Sequence, residues 1–155
     1  MANTDNACSQ LKIEDTYKDS KDTLGDIYNL QADTQRNVYG YKFEEMSLRD
    51  IMNFWHMNNH SLIDEIHEAT DALGGIKDGG GNAIWKKWKK RYDEYGNIKF
   101  SDLSESDKIE CKFEIVDILH FFLNMGISIG MTPEEMYNMY MAKNKENRER
   151  QKRNY

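Results

Sequence analysis

Residues 112–126 read KFEIVDILHFFLNMG, an apolar helical stretch that contains two acidic residues. Glu114 and Asp117 are three residues apart, so they lie on one side of an α-helix together with Phe121 and Asn124. The opposite half carries the apolar residues Ile115, Val116, Leu119, Phe122 and Leu123. A buried carboxylate without a partner is costly, because it must find a cation or take up a proton. The pattern therefore predicts a helix, buried nearly all round, that holds a cation or a proton on its acidic side.

The rest of the chain also predicts helices, because it has one proline and long periodic stretches with few turn signals. Besides the helix that starts after Ser104, we expect helices within 23–41, from Ser47 to Gly74, within 83–92, and after Thr132. The expected fold is an all-α helical bundle in a single domain, 1–155, with residues 1–20 loosely ordered. The expected core face of the second helix consists of Ile51, Trp55, Leu62, Ile66, Ala69 and Leu73.

Composition limits the function classes. The chain has 155 residues, 39% of them hydrophobic and 31% charged, as expected for a globular protein. Its net charge of −6 argues against a general nucleic-acid binder. No apolar run approaches the roughly 18 residues of a membrane-spanning helix, and the polar start does not resemble a signal peptide. We therefore expect no membrane association. Because Cys8 and Cys111 form no metal or redox motif, we also expect a cytoplasmic location.

A second acidic cluster lies in the helix that begins near Ser47. Asp64, Glu65 and Glu68 project from one side of it, with Asn58 two turns before Glu65. If this side faces Glu114 and Asp117, several carboxylates meet, and Mg²⁺ is the cation that prefers such oxygen ligands while keeping waters for a phosphate-bearing substrate. The predicted metal cradle consists of Glu65, Glu68, Glu114 and Asp117.

Two alternatives to this cradle stay open. Each acidic residue can instead be a solvated or salt-bridged surface residue. His60, Asp64 and His67 also share a helix side and resemble a site with two histidines and one carboxylate for a transition metal, although no other histidine-rich segment supports it.

Positive charge concentrates in WKKWKKRY (85–92) and in KNKENRERQKRNY (143–155). These segments suit an anionic ligand held beside a metal, since arginine forms bidentate phosphate contacts and lysine supplies a mobile charge. A solvated helix face and a frayed terminus explain the same residues without a ligand. Trp85 and Trp88, judged by spacing, fit a core position.

Two stretches carry a family resemblance: AIWKKWKKRY (83–92) and IECKFEIVDILHFFLNMGISIGMTPEEMYNMYMAKNKENRERQKRNY (109–155). They resemble the dCTP/dUTP pyrophosphatase family of T-even-type bacteriophages, and DEIHEATDALGG (64–75) is similar to it as well. That family belongs with the dimeric dUTPases in the all-α, MazG-like NTP pyrophosphatase superfamily. The resemblance implies this superfamily's helical bundle and a homodimer, for which the apolar face of Ile51 and Trp55 is a candidate interface.

The resemblance also implies roles for individual residues. Glu65, Glu68, Glu114 and Asp117 would bind Mg²⁺, and Asp64 would act as general base toward the attacking water. Phe121 would lie against the deoxyribose and exclude a 2′-hydroxyl. The implied base pocket contains Gln35, Asn58 and Trp85. The implied sugar and phosphate ligands are Lys86, Lys89, Lys143, Asn147, Arg148, Arg150 and Tyr155.

One position departs from the family pattern, in which glycine usually precedes the final tyrosine. This chain has Asn154 there. Because asparagine tolerates a left-handed backbone better than most residues, we expect altered detail at Tyr155 and no loss of function.

The implied activity is Mg²⁺-dependent hydrolysis of dCTP and dUTP, and of dCDP and dUDP, in phage nucleotide metabolism, without direct nucleic-acid binding. A strict dUTPase and a broader MazG-like hydrolase stay open, because an amide such as Asn58 or Gln35 can satisfy either base by flipping. The alternative from another class is a non-enzymatic helical module that binds a protein or nucleic acid through its basic tail.

Overall fold

The structure is a computed structural model, and it describes residues 10–14, 17–74 and 86–153. These described residues form five α-helices and no strand, which confirms the predicted all-α class. The helices are α1 (Thr23–Asp33), α2 (Leu48–Leu73), α3 (Lys90–Tyr95), α4 (Glu105–Ser128) and α5 (Pro133–Lys152). Shorter helical turns cover Tyr17–Asp19, Phe43–Glu45 and Phe100–Asp102, and a π-helical turn, Thr34–Val38, continues α1.

Side-chain caps begin the three long helices where the sequence predicts them. In each, the backbone N–H of the third helical residue donates to the hydroxyl of the cap, which satisfies a group that the helix leaves free. The N···O distances are 3.3 Å for Asp50–Ser47, 3.1 Å for Asp107–Ser104 and 3.1 Å for Glu135–Thr132. Local sequence therefore determines where α2, α4 and α5 start.

The helix predicted over 83–92 is confirmed for residues 90–92, which belong to α3, and is wrong for residues 86–89. Residues 86–89 form a turn, in which the Lys89 N–H donates to the Lys86 carbonyl at 2.9 Å, and α3 starts only at Lys90. Lysines three and four residues apart repel each other along a helix, so the KKWKK stretch is a poor helix start. Trp88 is 72% exposed, so its predicted core position is wrong as well.

The chain divides into two compact units. Unit 1 comprises Met1–Glu14 and His56–Phe122, and unit 2 comprises Asp15–Trp55 and Leu123–Tyr155. Both boundaries fall inside helices, so α2 and α4 each contribute one part to each unit. The expected single domain stays a prediction.

Unit 2 is built around an aromatic cluster and two polar anchors. The rings of Tyr41, Phe43 and Phe54 pack with centroids 4.9 to 5.5 Å apart, within the range preferred by aromatic pairs. The Tyr28 hydroxyl donates to the Met131 carbonyl, which ties α1 to the start of α5. The second anchor is the indole N–H of Trp55, which donates to Ser128 Oγ at 2.8 Å. Ile51 and Trp55, the candidate interface, are both half-buried.

In unit 1, the buried side of α2 differs from the predicted core face. Of the predicted residues, Ala69 is buried as expected, whereas Ile66 and Leu73 are exposed; Asn58 and Ala72 are buried instead. The helix is therefore rotated by about one residue from the prediction, because a polar stripe that includes Asn58 and Glu65 occupies its inner side. Apolar periodicity alone pointed to the neighbouring side.

The predicted apolar half of α4 is confirmed only in part, since Leu123 is fully buried and Leu119 half-buried. Ile115, Val116 and Phe122 are exposed, although the sequence predicted them to be buried. The buried positions in the first half of α4 are instead Asp107, two turns before Glu114, and Glu110 and Cys111, one turn before it. The prediction that α4 is buried nearly all round is therefore wrong for the single chain, while its acidic side does face inward.

No single helix in the described part of the chain is long and apolar enough to cross a membrane. Taken together as a sharply bent pair, α4 and α5 pass that test by length and composition only.

Candidate active site

Three carboxylates from α2 and α4 meet in unit 1. Each of Glu65, Glu68 and Glu114 offers one oxygen, and the three oxygens lie within 4.8 Å of one another. The three-residue spacing places Glu65 and Glu68 on adjacent turns of α2. Glu65 and Glu114 are half-buried, and Glu68 is exposed. Within residues 10–14, 17–74 and 86–153, this is the one group of three or more histidine, cysteine or acidic side chains placed so closely.

Glu65 and Glu114 share a hydrogen bond, and both have altered acidity. Burial, followed by the hydrogen bond to Glu65 and the charge of Glu68, raises the pKa of Glu114 to about 8. Burial is also the largest cause that raises the pKa of Glu65, and the hydrogen bond with Glu114 partly offsets it. A hydrogen bond between two carboxyl groups requires one proton, so Glu65 and Glu114 share a proton between them. The site therefore holds a proton where a cation would otherwise balance the charge.

Asp117 lies beside these carboxylates but has its own partner. Its charge contributes to the raised pKa of both Glu65 and Glu114. Its Oδ1 is 3.1 Å from Nδ1 of His120, one turn further along α4. Asp64 is exposed, and its charge also contributes to the raised pKa of Glu65. The structure thus brings three of the five predicted acidic residues together, and Asp64 and Asp117 lie near enough for their charges to act on that group.

The donor set fits a hard divalent cation. Carboxylate oxygens are the ligands that Mg²⁺ prefers, and the close group contains neither histidine nor cysteine. The raised pKa values of Glu65 and Glu114 also favour a cation, because burial and the neighbouring acids both disfavour ionised carboxylates until a cation neutralises them. The alternative of a solvated surface does not describe Glu114, whose side chain is half-buried among other acids.

The alternative group of His60, Asp64 and His67 is not brought together in the described part of the chain. His60 contacts His56 instead, with 3.2 Å between the two Nε2 atoms. Straight helical spacing explains this result, because His60 and His67 are two turns apart whereas His56 and His60 are on adjacent turns.

The residues predicted to contact sugar and base lie in different places. Phe121 is half-buried on α4, one turn after Asp117. Asn58 is 1% exposed on α2 in unit 1, two turns before Glu65. Gln35 is buried in unit 2, in the π-helical turn. Its main-chain carbonyl accepts from the main-chain N–H of Tyr41 at 3.0 Å. Trp85 lies outside the described residues.

The predicted phosphate ligands occupy two segments. Lys86 is half-buried, and Lys89 is exposed directly before α3. On α5 of unit 2, Lys143 is exposed, and the predicted residues Asn147, Arg148 and Arg150 help to line a surface cavity of about 440 Å³. The described residues that line it are Asn144, Asn147, Arg148, Arg150 and Gln151. Tyr155 and Asn154 lie outside the described residues.

Arg150 already has an acidic neighbour on α5. Its Nε donates to Glu146 Oε1 at 3.0 Å, and Arg153 donates to the same oxygen at 2.9 Å. Such exposed pairs contribute little stability, so an anionic ligand can displace them at small cost.

His120 is a neighbour of the acidic cluster that was not predicted from the sequence. Its signal was present in the segment DILH, since a residue three positions after Asp117 lies on the next helical turn. A histidine in this position orients the carboxylate and leaves its second oxygen available.

Comparison with known proteins places the chain among phage proteins. No protein-family model and no solved structure matches it. A dCTP pyrophosphatase of Enterobacteria phage T4 is 36% identical over 155 residues, which cover 95% of this chain and 91% of that protein. A dCTP pyrophosphatase of Enterobacteria phage LZ5 is 45% identical over 104 residues, 65% of this chain and 60% of that protein.

A DNA replication protein of phage T4 is also similar, with 35% identity over 145 residues that cover 88% of this chain and 37% of that protein. The chain thus spans part of the LZ5 and DNA replication relatives and nearly all of the T4 pyrophosphatase. The family inferred from the sequence is confirmed by these relatives. The chain belongs to the dCTP pyrophosphatase family of T4-type phages, a family of nucleotide hydrolases.

Proposed function

We propose that the protein hydrolyses dCTP and dUTP to dCMP or dUMP and pyrophosphate in a reaction that requires Mg²⁺. The same site is proposed to act on dCDP and dUDP, which would release phosphate instead. The observation that carries this proposal is the group of three carboxylate oxygens from Glu65, Glu68 and Glu114 within 4.8 Å. The names of the phage relatives support the nucleotide substrate.

The proposed metal ligands are Glu65, Glu68, Glu114 and Asp117. Bound Mg²⁺ would neutralise the phosphate chain and lower the pKa of the attacking water. Glu114 must release its proton to act as a ligand, because its pKa of about 8 keeps it protonated at neutral pH without a cation. The contact with His120 would hold Asp117 in a fixed orientation at the edge of the group.

Asp64 is the proposed general base. It is exposed on α2 next to Glu65, where water reaches it, and its charge acts on Glu65. In the proposed reaction, one Asp64 oxygen accepts a proton from water as the water oxygen attacks phosphorus. A P–O bond of the oxygen that bridges the α-phosphorus and the β-phosphorus is cleaved, and the leaving group carries the negative charge.

Positive side chains are proposed to balance that charge. Lys86 and Lys89 precede α3, and Lys143, Arg148 and Arg150 lie on α5, where Asn147 adds an amide. Guanidinium and ammonium groups stabilise phosphate oxygens whose charge increases in the transition state. Tyr155 completes the proposed set. This part of the proposal rests on charge and on the family resemblance.

Selectivity for deoxyribose is assigned to Phe121. A ring placed against C2′ leaves no room for a hydroxyl group and no partner for its hydrogen bonds. For the base, Asn58 and Gln35 are proposed to supply amides, with Trp85 as a stacking surface. An amide can donate to the uracil carbonyl or accept from the cytosine amino group, which suits activity on both nucleotides.

The proposed setting is the host-cell cytoplasm, with the protein as a homodimer. Support for a dimer comes from exposed apolar side chains in unit 1, among them Ile63, Ile66, Ile115 and Val116. Surfaces with this many exposed apolar residues commonly form protein interfaces. No direct binding of nucleic acid is proposed, in agreement with the net charge of −6.

The test is a panel of the deoxyribonucleoside and ribonucleoside triphosphates incubated with Mg²⁺, with monophosphate and pyrophosphate quantified separately. We expect cleavage of dCTP and dUTP, sparing of CTP and UTP, and no cleavage in excess chelator. Cleavage of dUTP alone would identify a strict dUTPase, and cleavage of all deoxynucleotides a broader MazG-like hydrolase. Absence of any cleavage would contradict the proposal.

A further inference from the structure

Two histidines on α2 form a close pair that the proposed reaction does not use. His56 and His60 are four residues apart in unit 1, and both are exposed. Their Nε2 atoms are 3.2 Å apart, and their rings are nearly perpendicular, with centroids separated by 4.5 Å. Both rings thus turn the same nitrogen toward one point beside the helix.

The distance between these nitrogens matches that of two ligands on one metal ion. Imidazole nitrogens bind zinc at about 2.0–2.1 Å, and tetrahedral geometry then separates two of them by about 3.3–3.4 Å. Copper in a planar site separates neighbouring ligands by slightly less. A separation of 3.2 Å therefore needs little side-chain movement to accept an ion, and the helix backbone already holds both rings in place.

The pair lies away from the carboxylates. At 100° per residue, His56 and His60 are on the side of α2 roughly opposite Asn58 and Glu65. The exposure of both rings agrees with this geometry, since the Asn58 side of α2 is buried. A cation bound by the imidazoles would thus not share ligands with Glu65 or Glu68.

We propose that His56 and His60 form a second metal site that binds first-row transition-metal ions with a preference for imidazole, such as Zn²⁺, Ni²⁺ or Cu²⁺. Its ligand type distinguishes it from the carboxylate group, because Mg²⁺ has little affinity for imidazole nitrogen. Two histidines occupy only part of the coordination shell, so water completes it and the ion exchanges readily. The site binds in the order of affinity common to nitrogen ligands, with Cu²⁺ tightest.

The experiment is a titration of the full chain with Zn²⁺ in excess Mg²⁺, which occupies the carboxylates. Nuclear magnetic resonance of ¹⁵N-labelled histidine follows each ring. We expect the ring signals of His56 and His60 to shift together, and those of His67 and His120 to stay in place. By calorimetry, His56→Ala and His60→Ala each weaken zinc binding at least about tenfold, whereas His67→Ala leaves it unchanged.

Hydrolysis of dCTP with Mg²⁺ alone serves as a control, and we expect it to be the same in all three variants. The proposal is overturned if millimolar Zn²⁺ shifts neither His56 nor His60, which would leave a hydrogen-bonded histidine pair. It is also overturned if both alanine variants bind zinc as the unmodified chain does. Neither result depends on whether the proposed hydrolysis is correct.

Discussion

Glu65 on α2 and Glu114 on α4 are joined by a hydrogen bond in which the two carboxyl groups share one proton. The pKa of Glu114 is about 8, raised first by burial and then by this bond and the neighbouring acids. An ordinary glutamate titrates near 4.5, so the pair stores one proton through the neutral range. A divalent cation would replace that proton, so the affinity of the site for metal should depend on pH.

Replacing Glu114 by glutamine tests the metal site directly. Glu114→Gln keeps the shape of the side chain and a neutral hydrogen-bond donor, so the protein should fold with an unchanged circular dichroism spectrum. We expect the turnover of dCTP with Mg²⁺ to fall by at least about 10²-fold, because a charged metal ligand is lost. The matched control is Glu105→Gln on the exposed first turn of the same helix, which should keep full activity. An active Glu114→Gln enzyme would contradict the assignment.

The stored proton predicts how stability depends on pH when no metal is present. Between about pH 4.5 and 8, the unfolded chain has lost the Glu114 proton while the folded chain keeps it, so the free energy of unfolding decreases as the pH rises. The raised pKa of Glu65 acts in the same direction. Thermal unfolding in a chelator should therefore show a midpoint that falls from pH 5 to pH 8.

The controls for this prediction separate Glu114 from the other acids. The slope should be smaller in Glu114→Gln, and it should be unchanged in Glu44→Gln, an exposed residue of the short turn Phe43–Glu45. Saturating Mg²⁺ should raise the midpoint most at the higher pH, because binding needs the deprotonated carboxylates. A midpoint that rises through this range without metal would contradict the shared proton.

His120 should act on the reaction through Asp117. His120→Ala removes the ring that lies 3.1 Å from Asp117 Oδ1, so the carboxylate becomes free to rotate. We expect the Mg²⁺ concentration for half-maximal activity to rise about 10- to 100-fold, with a smaller change in kcat at saturating metal. His120→Asn, which retains a hydrogen-bond donor, should restore part of the affinity, and His67→Ala should have no effect. An unchanged metal requirement in His120→Ala would exclude this positioning role.

Phe121 should determine whether the sugar is ribose or deoxyribose. In Phe121→Ala, space opens one turn after Asp117, and the ratio of kcat/KM for dCTP over CTP should fall by about tenfold or more. Phe122→Ala is the matched control, because it removes an exposed ring at the next position. If both variants keep the same discrimination as the unmodified enzyme, selectivity arises from another residue.

Leu123 tests the packing of unit 2. Its side chain is 0% exposed, so Leu123→Ala should leave a cavity and lower the free energy of unfolding by about 2–5 kcal/mol in urea. Ile129→Ala, at a residue that is 52% exposed, should change it by no more than about 0.5 kcal/mol. Equal effects of the two substitutions would contradict the described packing.

Most of the helices could be predicted from local sequence, because caps and helix starts depend on residues three positions apart. Ser104 with Asp107 and Thr132 with Glu135 start their helices as the pattern indicates. The pairs Glu65 with Glu68 and Glu114 with Asp117 were also predictable, because residues three positions apart lie on the same side of a helix. The prediction failed over 86–89, where local charge repulsion outweighed the amphipathic pattern.

The tertiary structure decided which side of each helix faces inward. Ile115, Val116 and Phe122 had the periodicity of a core face, yet they are exposed, and half-buried Glu114 takes the inward position. When a helix is apolar nearly all round, its apolar periodicity is compatible with more than one buried side. Packing against the neighbouring helix then determines which side is buried.

The sequence by itself determined an all-α chain and two pairs of acidic residues at helical spacing. Only the tertiary structure decided that Glu65 and Glu114 meet and share a proton, because that contact joins residues from separate helices. The histidine contacts, by contrast, follow from local helical spacing, since His60 contacts His56 on α2 and His120 contacts Asp117 on α4. The spacing of residues along one helix determines on which side of that helix their side chains lie. Whether side chains of two helices come into contact depends on how the helices pack.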